Sequence, residues 1–478
     1  MRLARAPTTA AWSTADTGHP GFSTSCPDRL IRHLSQLQEP VLGATSKRLR
    51  NLYGRRQLPW MARAHYPREI RSWALLAFAL GAVEGGVAGV IVKNAFAGEV
   101  SNFWLSIAVA LVTGAPQLAN IFSFLWAWGS QGRDKIRFLL FAQVACVLCL
   151  LLIAAAPINP LGLVLMTIGV IAARVCWSGV TTIRSTVWRA NYPRELLAYM
   201  TGRLVTFAAL IMGGVGIVLG LSMDQNENAF RIILPVLALI GLVGALGYGR
   251  LRVRRHGQLL RDELAAREKM MNPFSSLGIL REDGRFRHYM SLMMIFGSGN
   301  LMLKAPLILI LAEQLQYSQF QQMMITGSIP LLVMPFCVPL WARMLDSRHV
   351  VHYRARQSWG FVVAFSVVSL AAITGWMPLM WIGSALYGAA MAGGILGWNV
   401  GHHDFAPVAK ASQYMGVHVS LTGLRGLIAP LFGVGLYQLA VTFAPDYSRW
   451  VLLLPLLLVL LGALGFVRMS RRMKAEEC

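Results

Sequence analysis

The chain has 478 residues, of which 55% are hydrophobic and only 14% are charged. Many apolar stretches reach about twenty residues, the length that crosses a hydrocarbon core of about 30 Å as an α-helix, so a soluble globular protein is excluded. A net charge of +23 would suggest a nucleic-acid binder in a soluble protein. Here the basic residues are distributed among connections instead of forming one face, and we expect no nucleic-acid partner.

Residues 1–71 precede the first apolar stretch and are predicted to form a largely disordered cytoplasmic tail. The part before Asp28 is rich in Ser, Thr, Ala, Gly and Pro and lacks the apolar region of a secretory signal. From Asp28 onward, Leu and Ile alternate with Arg in a pattern compatible with a short amphipathic helix on the inner membrane surface. The alternative is a flexible tail that precedes an initiator further in, such as Met61.

Twelve apolar segments, six in each half of the chain, have the length of transmembrane helices. They are Trp73–Phe96, Phe103–Trp128, Ile136–Ala156, Leu161–Val187, Tyr199–Leu221, Arg231–Gly249, Tyr289–Leu311, Met323–Leu345, Trp359–Trp376, Pro378–Asn399, Tyr414–Val441 and Trp450–Val467. The predicted fold class is an all-α polytopic membrane protein with two six-helix bundles, at residues 72–250 and 288–468. A basic central cytoplasmic loop, 251–287, joins them, and a cytoplasmic tail, 469–478, follows.

An internal repeat supports this division. Leu125-Trp126-Ala127 and Tyr199-Met200 both return 215 positions later, as Leu340-Trp341-Ala342 and Tyr414-Met415. Two glycines, Gly179 and Gly220, keep the same offset with Gly394 and Gly435. The matches fall at corresponding edges of corresponding segments, which is typical of a transporter built from two structural repeats.

The basic residues predict the topology. With twelve spans, the tail, the central loop, the second-to-third and eighth-to-ninth connections and the C-terminus all lie on one side and are rich in Lys and Arg. The eighth-to-ninth connection contributes Arg343, Arg348, Arg354 and Arg356. The positive-inside rule then places both termini in the cytoplasm of a bacterial inner membrane. Each juxtamembrane arginine favours anionic lipid headgroups by about 1 kcal/mol.

Ionisable residues inside spans are costly and call for a reason. Glu84 lies near the middle of the first span, next to a face of glycines spaced four apart that permits close helix contact. Such a carboxylate is either a proton or cation site or a structural partner for a buried arginine. Arg174 in the fourth span is its natural partner, and we expect the two to form a proton-coupling pair.

Further polar residues lie within the second half. Lys304 has Asn300 one turn away, and the two suit an anionic or hydrogen-bonding solute; the alternative is that Lys304 reaches the outer headgroups. Arg425 is a further buried candidate, whereas Arg184 is expected to extend to the cytoplasmic surface. Adjacent residues on a helix end diverge, so His402-His403-Asp404 is not expected to bind a metal.

No nucleotide-binding loop and no hydrolase signature occurs, so we expect neither a cofactor nor an enzyme.

The chain resembles the major facilitator superfamily in its twelve spans, long basic central loop and charged second-to-third and eighth-to-ninth connections. The resemblance covers about residues 70–470. That family carries a charged signature in these connections that is implicated in gating. Asp134, Lys135 and Arg137 preserve its charged part in the first copy, with Ser130 in place of its first glycine. The second copy is degenerate, and Asp346 and Arg348 are its charged residues.

The resemblance implies a central cavity surrounded by the first, fourth, seventh and tenth spans. It also relates Arg174 and Gly179 to a fourth-span motif that is linked to proton transfer in antiporters, with one extra residue between them. The side chains expected to line the cavity, besides Glu84 and Arg174, are Trp177, Asn300, Lys304, Tyr387 and Asn399.

These features predict a secondary active transporter that moves a small organic solute across the membrane by alternating access, coupled to protons through Glu84. We expect a monomer whose partners are the solute, protons and the lipid bilayer. The alternative is a non-transporting assembly factor or sensor that keeps the fold and has lost the solute site.

Overall fold

A computed structural model describes residues 65–192, 194–265, 278–407 and 411–477. The possible amphipathic helix that begins at Asp28 and residues 266–277 of the central loop lie outside these residues. Within the described part, all regular structure is helical. The central connection contributes two short helices, His256–Ala265 and Ile279–Glu282.

Twelve helices of the described residues are long and apolar enough to cross a membrane, six in each half of the chain. In chain order, spans 1 to 12 are Tyr66–Ala95, Asn102–Gly129, Lys135–Ala155, Pro160–Asn191, Met200–Gln225, Phe230–Tyr248, Gly284–Gln314, Gln319–Asp346, Val350–Thr374, Met377–Asn399, Gln413–Phe443 and Pro445–Glu476. The chain is therefore a multi-pass membrane protein of the predicted fold class.

Several spans are not continuous α-helices. Span 1 consists of Tyr66–Ala82 and Gly85–Ala95, and span 2 has a 3-10 turn at Ala119–Phe122. Span 7 consists of Gly284–Met302 and Lys304–Leu309, and then a π-helical turn at Ile310–Gln314; span 8 has a π-helical turn at Met324–Ser328. Span 12 opens with a 3-10 segment, Pro445–Leu452. Prolines explain part of this, since Pro306 and Pro330 cannot donate to the carbonyl four residues earlier.

The internal repeat corresponds to a repeated packing contact. In the first half, the indole of Trp126 lies against Gly179, where an added Cβ would be 2.6 Å from the ring. In the second half, the indole of Trp341 lies against Gly393, at 2.8 Å, one residue before the Gly394 that the repeat pairs with Gly179; Gly394 itself faces Phe361. Each contact packs the second span of a half against its fourth span, so the two halves share one internal architecture.

The halves meet through three sets of helices. Span 2 packs against span 11, span 5 against span 8, and the second segment of span 1 against span 7. Backbone approach is close at these contacts: a Cβ on Gly114 would overlap the carbonyl oxygen of Gly426, and one on Gly216 would overlap the hydroxyl of Ser328. Glycine is needed at Gly114 because the facing atom is a backbone oxygen that cannot move aside, whereas the Ser328 hydroxyl that faces Gly216 can rotate.

Candidate functional site

Span 1 is interrupted at Val83 and Glu84, between its two helical segments. Glu84 has an extended backbone, and its Oε2 accepts hydrogen bonds from the N–H groups of Gly86 at 2.7 Å and Val87 at 3.2 Å. A carboxylate at this position satisfies free N–H groups and interacts favourably with the positive end of the helix dipole. Glu84 is therefore the N-cap of the second segment, and not a residue inside a continuous helix as the sequence pattern suggested.

Arg174 binds the other side of the same interruption. Its Nε donates to the carbonyl oxygen of Val83 at 2.6 Å, and the residue is 8% exposed. The carbonyls at the end of a helix lack intrahelical partners, and a cation there also opposes the negative end of the dipole. Arg174 forms no direct ion pair with Glu84: it stabilises the break, and another cation binds the carboxylate. The coupling role expected of Glu84 and Arg174 stays a prediction.

That cation is Lys304, whose Nζ lies 2.9 Å from Glu84 Oε1. The Lys304 and Glu84 side chains are 20% and 13% exposed, so Lys304 does not extend to the headgroups and that alternative is wrong. Span 7 loses one helical hydrogen bond next to Lys304, because Pro306 has no N–H, while the backbone at Leu303 stays helical. The break in span 1 and this point of span 7, one from each half, thus meet at one largely buried ion pair.

Span 8 encloses the carboxylate from a third direction. A Cβ on Gly86 would overlap the carbonyl oxygen of Thr326, and one on Gly327 would lie 3.1 Å from Glu84 Oε2. A cavity of about 20 Å³ beside the pair is lined by both Lys304 and Tyr387. This volume accommodates a single water molecule. Tyr387 therefore lies at the ion pair and not in the larger cavity described below.

A second ion pair joins spans 1 and 7 nearer their ends. Lys93 Nζ lies 2.6 Å from Glu313 Oε1, and the hydroxyl of Tyr437 donates to the other oxygen of Glu313 at 2.7 Å. Beside it, the amide of Asn94 donates to Gln322 at 3.0 Å. We call this end of the bundle, defined by these five residues, the closed end.

Sequence reasoning missed the Lys93–Glu313 pair because each residue lies near the end of a span, where a charge is unremarkable. A signal was nevertheless present. Lys93 follows Glu84 by nine residues, and Glu313 follows Lys304 by nine residues, with the order of charges reversed.

A cavity of about 320 Å³ lies where span 2 of the first half meets the second half, which supplies all but two of its lining residues. The span 7 residues of the cavity wall all precede Lys304, whereas Glu313, the span 7 residue of the closed end, follows it. The cavity and the closed end therefore lie on opposite sides of Lys304 along span 7. The cavity lining comes from spans 2, 7, 9, 10 and 11, and comprises Gln117, Asn120, Met293, Phe296, Gly297, Asn300, Leu301, Arg354, Phe361, Met391, Gly394, Ile395, Trp398, Asn399, Thr422 and Arg425. Asn300 and Asn399 thus line this cavity as expected, but no residue of span 1 or span 4 does, so it is not the cavity surrounded by spans 1, 4, 7 and 10 that the resemblance implied, and Glu84 and Arg174 are not in its wall.

Trp177 lies elsewhere. Its ring packs against Trp73, with centroids 5.1 Å apart, and it lines neither cavity. Arg184, expected at the surface, is buried with its guanidinium 3.6 Å from the centroid of Trp73 and 3.9 Å from that of Trp188. These aromatic faces attract the cation. Trp177 and Arg184 thus belong to an aromatic cluster inside the first half, and Trp177 does not form the cavity wall that the sequence analysis expected.

Arg354 is the main residue that the sequence analysis misplaced. It was assigned to the eighth-to-ninth connection, but span 9 begins at Val350 and Arg354 is 2% exposed in the cavity wall. Together with Arg425, 4% exposed, it brings a second guanidinium to the cavity. The sequence did contain a signal: Tyr353 and Phe361 lie at helical spacing on the same buried face as Arg354, which indicates that span 9 begins before Arg354.

A second buried carboxylate, Glu69, was also missed because the predicted first span began after it. It accepts hydrogen bonds from Trp188 Nε1 at 2.5 Å, from the hydroxyl of Tyr248 at 3.0 Å and from that of Tyr192. Burial, followed by the charge of Glu69, raises the pKa of Tyr192, which therefore remains a donor. Glu69 ties spans 1, 4 and 6 together within one half and does not contact the other half.

The predicted gating residues of the first half are ordered. Asp134 caps span 3 by accepting from the N–H of Ile136 at 2.9 Å, and lies 3.9 Å from Arg137. Lys135 is 2% exposed and pairs with Glu263 of the central connection at 2.6 Å. The ion pair thereby links the helix His256–Ala265 of the central connection to the second-to-third connection.

In the second half, Asp346 and Arg348 are exposed, and neither forms an ion pair with any described residue. The gating role of all five residues stays a prediction.

No protein-family model and no curated protein matches the chain. Solved structures do. The nucleoside transporter NupG superposes with a TM-score of 0.65 at 12% identity, over 84% of this chain and 98% of that one. The POT family transporter PepTSo gives 0.63 at 11%, over 86% and 98%. The xylose transporter XylE from E. coli gives 0.58 at 13%, over 83% and 96%.

At these identities the likeness concerns the fold. It extends over nearly the full length of each of these transporters, with both six-helix halves included. The chain therefore has the major facilitator superfamily fold, which confirms the resemblance stated from its sequence.

Proposed function

We propose that the protein is a secondary active transporter that moves a small organic solute by alternating access and is coupled to protons at Glu84. The observation that carries this proposal is the Glu84–Lys304 ion pair, which joins span 1 of the first half to span 7 of the second half, one turn from Asn300 in the cavity wall. We also propose a monomer in a bacterial inner membrane, with both termini in the cytoplasm and anionic headgroups at the basic connections.

The pair supplies a physical reason for coupling. Glu84 belongs to the first half and Lys304 to the second, so a movement that separates the halves at this level also separates the charges. A buried carboxylate without its cation is strongly disfavoured and takes up a proton. Protonation therefore accompanies opening of the closed end, and re-pairing with Lys304 accompanies release of the proton.

Arg174 has a positioning role in this proposal. By binding the Val83 carbonyl it fixes the end of the first segment of span 1, and hence the place at which Glu84 begins the second. Trp177 is assigned no role at the solute, because it belongs to the aromatic cluster.

The test uses the purified protein in liposomes that contain a pH-sensitive dye. Because the superposed transporters are named for nucleosides, xylose and peptides, the solutes tested should include these classes together with small organic acids. We expect at least one solute to cause proton movement. Glu84→Gln should abolish this proton movement while leaving exchange of labelled for unlabelled solute intact.

Glu69→Gln is the matched control. It also removes a buried carboxylate from span 1, but one that contacts only the first half. Its thermal stability and that of Glu84→Gln must be compared with the parent first. If folded Glu84→Gln protein still moves protons with solute, the carboxylate is structural and the coupling site lies elsewhere. If no solute is exchanged by the parent protein, the alternative of a non-transporting assembly factor or sensor gains support; the cavity between the halves argues against it.

A further inference from the structure

The cavity between the halves contains positive charge that the protein itself does not neutralise. Of the described residues that line it, two are arginines and none is acidic. Arg354 and Arg425 are 2% and 4% exposed, and neither forms an ion pair with any described residue. Buried cations in proteins are normally paired, because removal of an unpaired charge from water is costly.

The hydrogen bonds of these guanidinium groups are also incomplete. Arg354 donates to the side chain of Gln357 at 3.0 Å and to the carbonyl of Gly394 at 3.3 Å, and Arg425 donates to the hydroxyl of Thr422 at 2.8 Å and to the carbonyl of Met293. These partners are all neutral. The Nε atoms of both arginines are buried without a partner.

Asn300 adds an unpaired acceptor. Its Oδ1 is likewise buried without a hydrogen-bond partner in the wall of the cavity. The two arginines of this cavity therefore lack a negatively charged hydrogen-bond acceptor, and Asn300 lacks a hydrogen-bond donor.

The remaining lining limits the shape of the occupant. Phe296, Phe361, Met391 and Trp398 present apolar and aromatic surface to the same space. A guanidinium fork matches the oxygen geometry of a carboxylate or phosphate. Building on the proposed function, we propose that the solute is a small organic anion whose carboxylate or phosphate is bound by Arg354 and Arg425 and whose apolar body lies against these side chains.

The direct test is thermal denaturation of the full chain in neutral detergent, in a buffer without phosphate or sulfate. The probes are benzoate, phenylacetate and phenyl phosphate, with benzamide and phenylacetamide as neutral counterparts of the same shape. A ligand that binds only the folded state raises the apparent melting temperature with its concentration. We expect at least one anion to raise it by more than its amide, which can donate to Asn300 but cannot pair with the arginines. An equal effect of anion and amide, or no effect of any anion, overturns the proposal.

Arg354→Gln and Arg425→Gln test the two residues. Each should weaken anion binding by about ten- to a hundredfold, since a hydrogen bond to a charged group is removed. Arg184→Gln is the matched control, because Arg184 is equally buried in a span but outside the cavity, and it should leave binding unchanged. An equal loss in all three variants overturns the assignment. If the glutamine variants do not fold, the selectivity of the unaltered protein for anions over amides still decides.

The same oxygen chemistry occurs on anionic lipid headgroups, so a further arm adds phosphatidylglycerol in place of the soluble anions. Stabilisation by the lipid alone overturns the assignment to a soluble solute. Exchange across liposomes separates this proposal from the proposed function. If a neutral solute is exchanged and Arg354→Gln does not affect this exchange, the proposal that the solute is an anion is overturned, whereas the proposed transport function is supported. An anion that binds at Arg354 and Arg425 but is not exchanged leaves the binding site standing and contradicts transport.

Discussion

The halves also touch at two glycines, which lie along spans 1 and 2 between the closed end and the cavity, and this gives a quantitative prediction about the conformational equilibrium. A Cβ on Gly86 would overlap the carbonyl oxygen of Thr326, and one on Gly114 would overlap that of Gly426. Both facing atoms are backbone atoms of the other half and cannot rotate away. Gly86→Ala and Gly114→Ala should therefore force the halves apart at these points.

The cost of such overpacking is about 1–3 kcal/mol. It applies only to the conformation in which the halves touch here, so the whole cost shifts the equilibrium between conformations. At 1.4 kcal/mol for each factor of ten, the population of the conformation open at this end should rise by about five- to 150-fold relative to the closed one. A conformation present at about 1% would then become readily detectable.

Electron spin resonance distances between labels at Ala97 and Ser318 measure this shift. Both residues are exposed, and they follow spans 1 and 7 at the closed end. The labels require a background without the six native cysteines. In the parent protein we expect mainly the short distance, and in both alanine variants a larger fraction at a longer distance.

Gly214→Ala is the control. It also places alanine in a helix and gains the same helical propensity, but a Cβ there meets no atom within 4 Å. If Gly86→Ala and Gly114→Ala, both folded, give the same distance distribution as Gly214→Ala, then close backbone approach does not hold the two halves together and the reasoning is refuted.

Three further predictions follow from other parts of the chain. Glu263→Gln leaves the buried Lys135 ammonium without its carboxylate, so it should lower the melting temperature more than the double change Lys135→Met with Glu263→Gln; an equal loss would show that the pair is not the relevant contact. A reporter fused after Lys474 should behave as cytoplasmic and one inserted at Asn226 as external, and the reverse pattern would contradict the predicted topology. A chain that begins at Met61 should insert and remain monodisperse in detergent, and loss of insertion would assign a targeting or structural role to the preceding residues.

The spans were predictable from the sequence because the bilayer imposes a length and a polarity on each of them. Their interruptions were not, since an average over about twenty residues does not detect a single cap. Glu84 illustrates the difference: it was recognised as a costly charge in span 1, but its capping role depends on the backbone at Val83. Local signals existed, namely the two glycines that follow Glu84 and Pro306 in span 7.

The partners of buried charges were harder to predict. Arg174 was expected to pair with Glu84, and Lys304 was assigned to the solute or the outer headgroups. The choice between the two cations depends on how the two halves pack, which no local pattern encodes. Arg354 was missed for a different reason. A charge near the start of a span lowers the local hydropathy, so the predicted boundary moved inward to Trp359 and assigned a cavity residue to a connection.

The placement of charge divides the interface between the halves into two regions with different chemistry. On span 1 the acid Glu84 precedes the base Lys93 by nine residues, and on span 7 the base Lys304 precedes the acid Glu313 by the same number. Nine residues correspond to about 13 Å of helix, so the two pairs fix the register of spans 1 and 7, and sliding one span past the other would bring like charges together.

In the cavity, by contrast, both arginines lack a carboxylate within the described part of the chain. Since a charge inside a membrane protein needs a partner, opening the closed end requires water or protons to replace the broken pairs. In the proposed function, a bound anion in the cavity supplies the partner that the arginines lack, and a proton on Glu84 replaces the charge of Lys304, so each event removes one electrostatic cost of moving the halves.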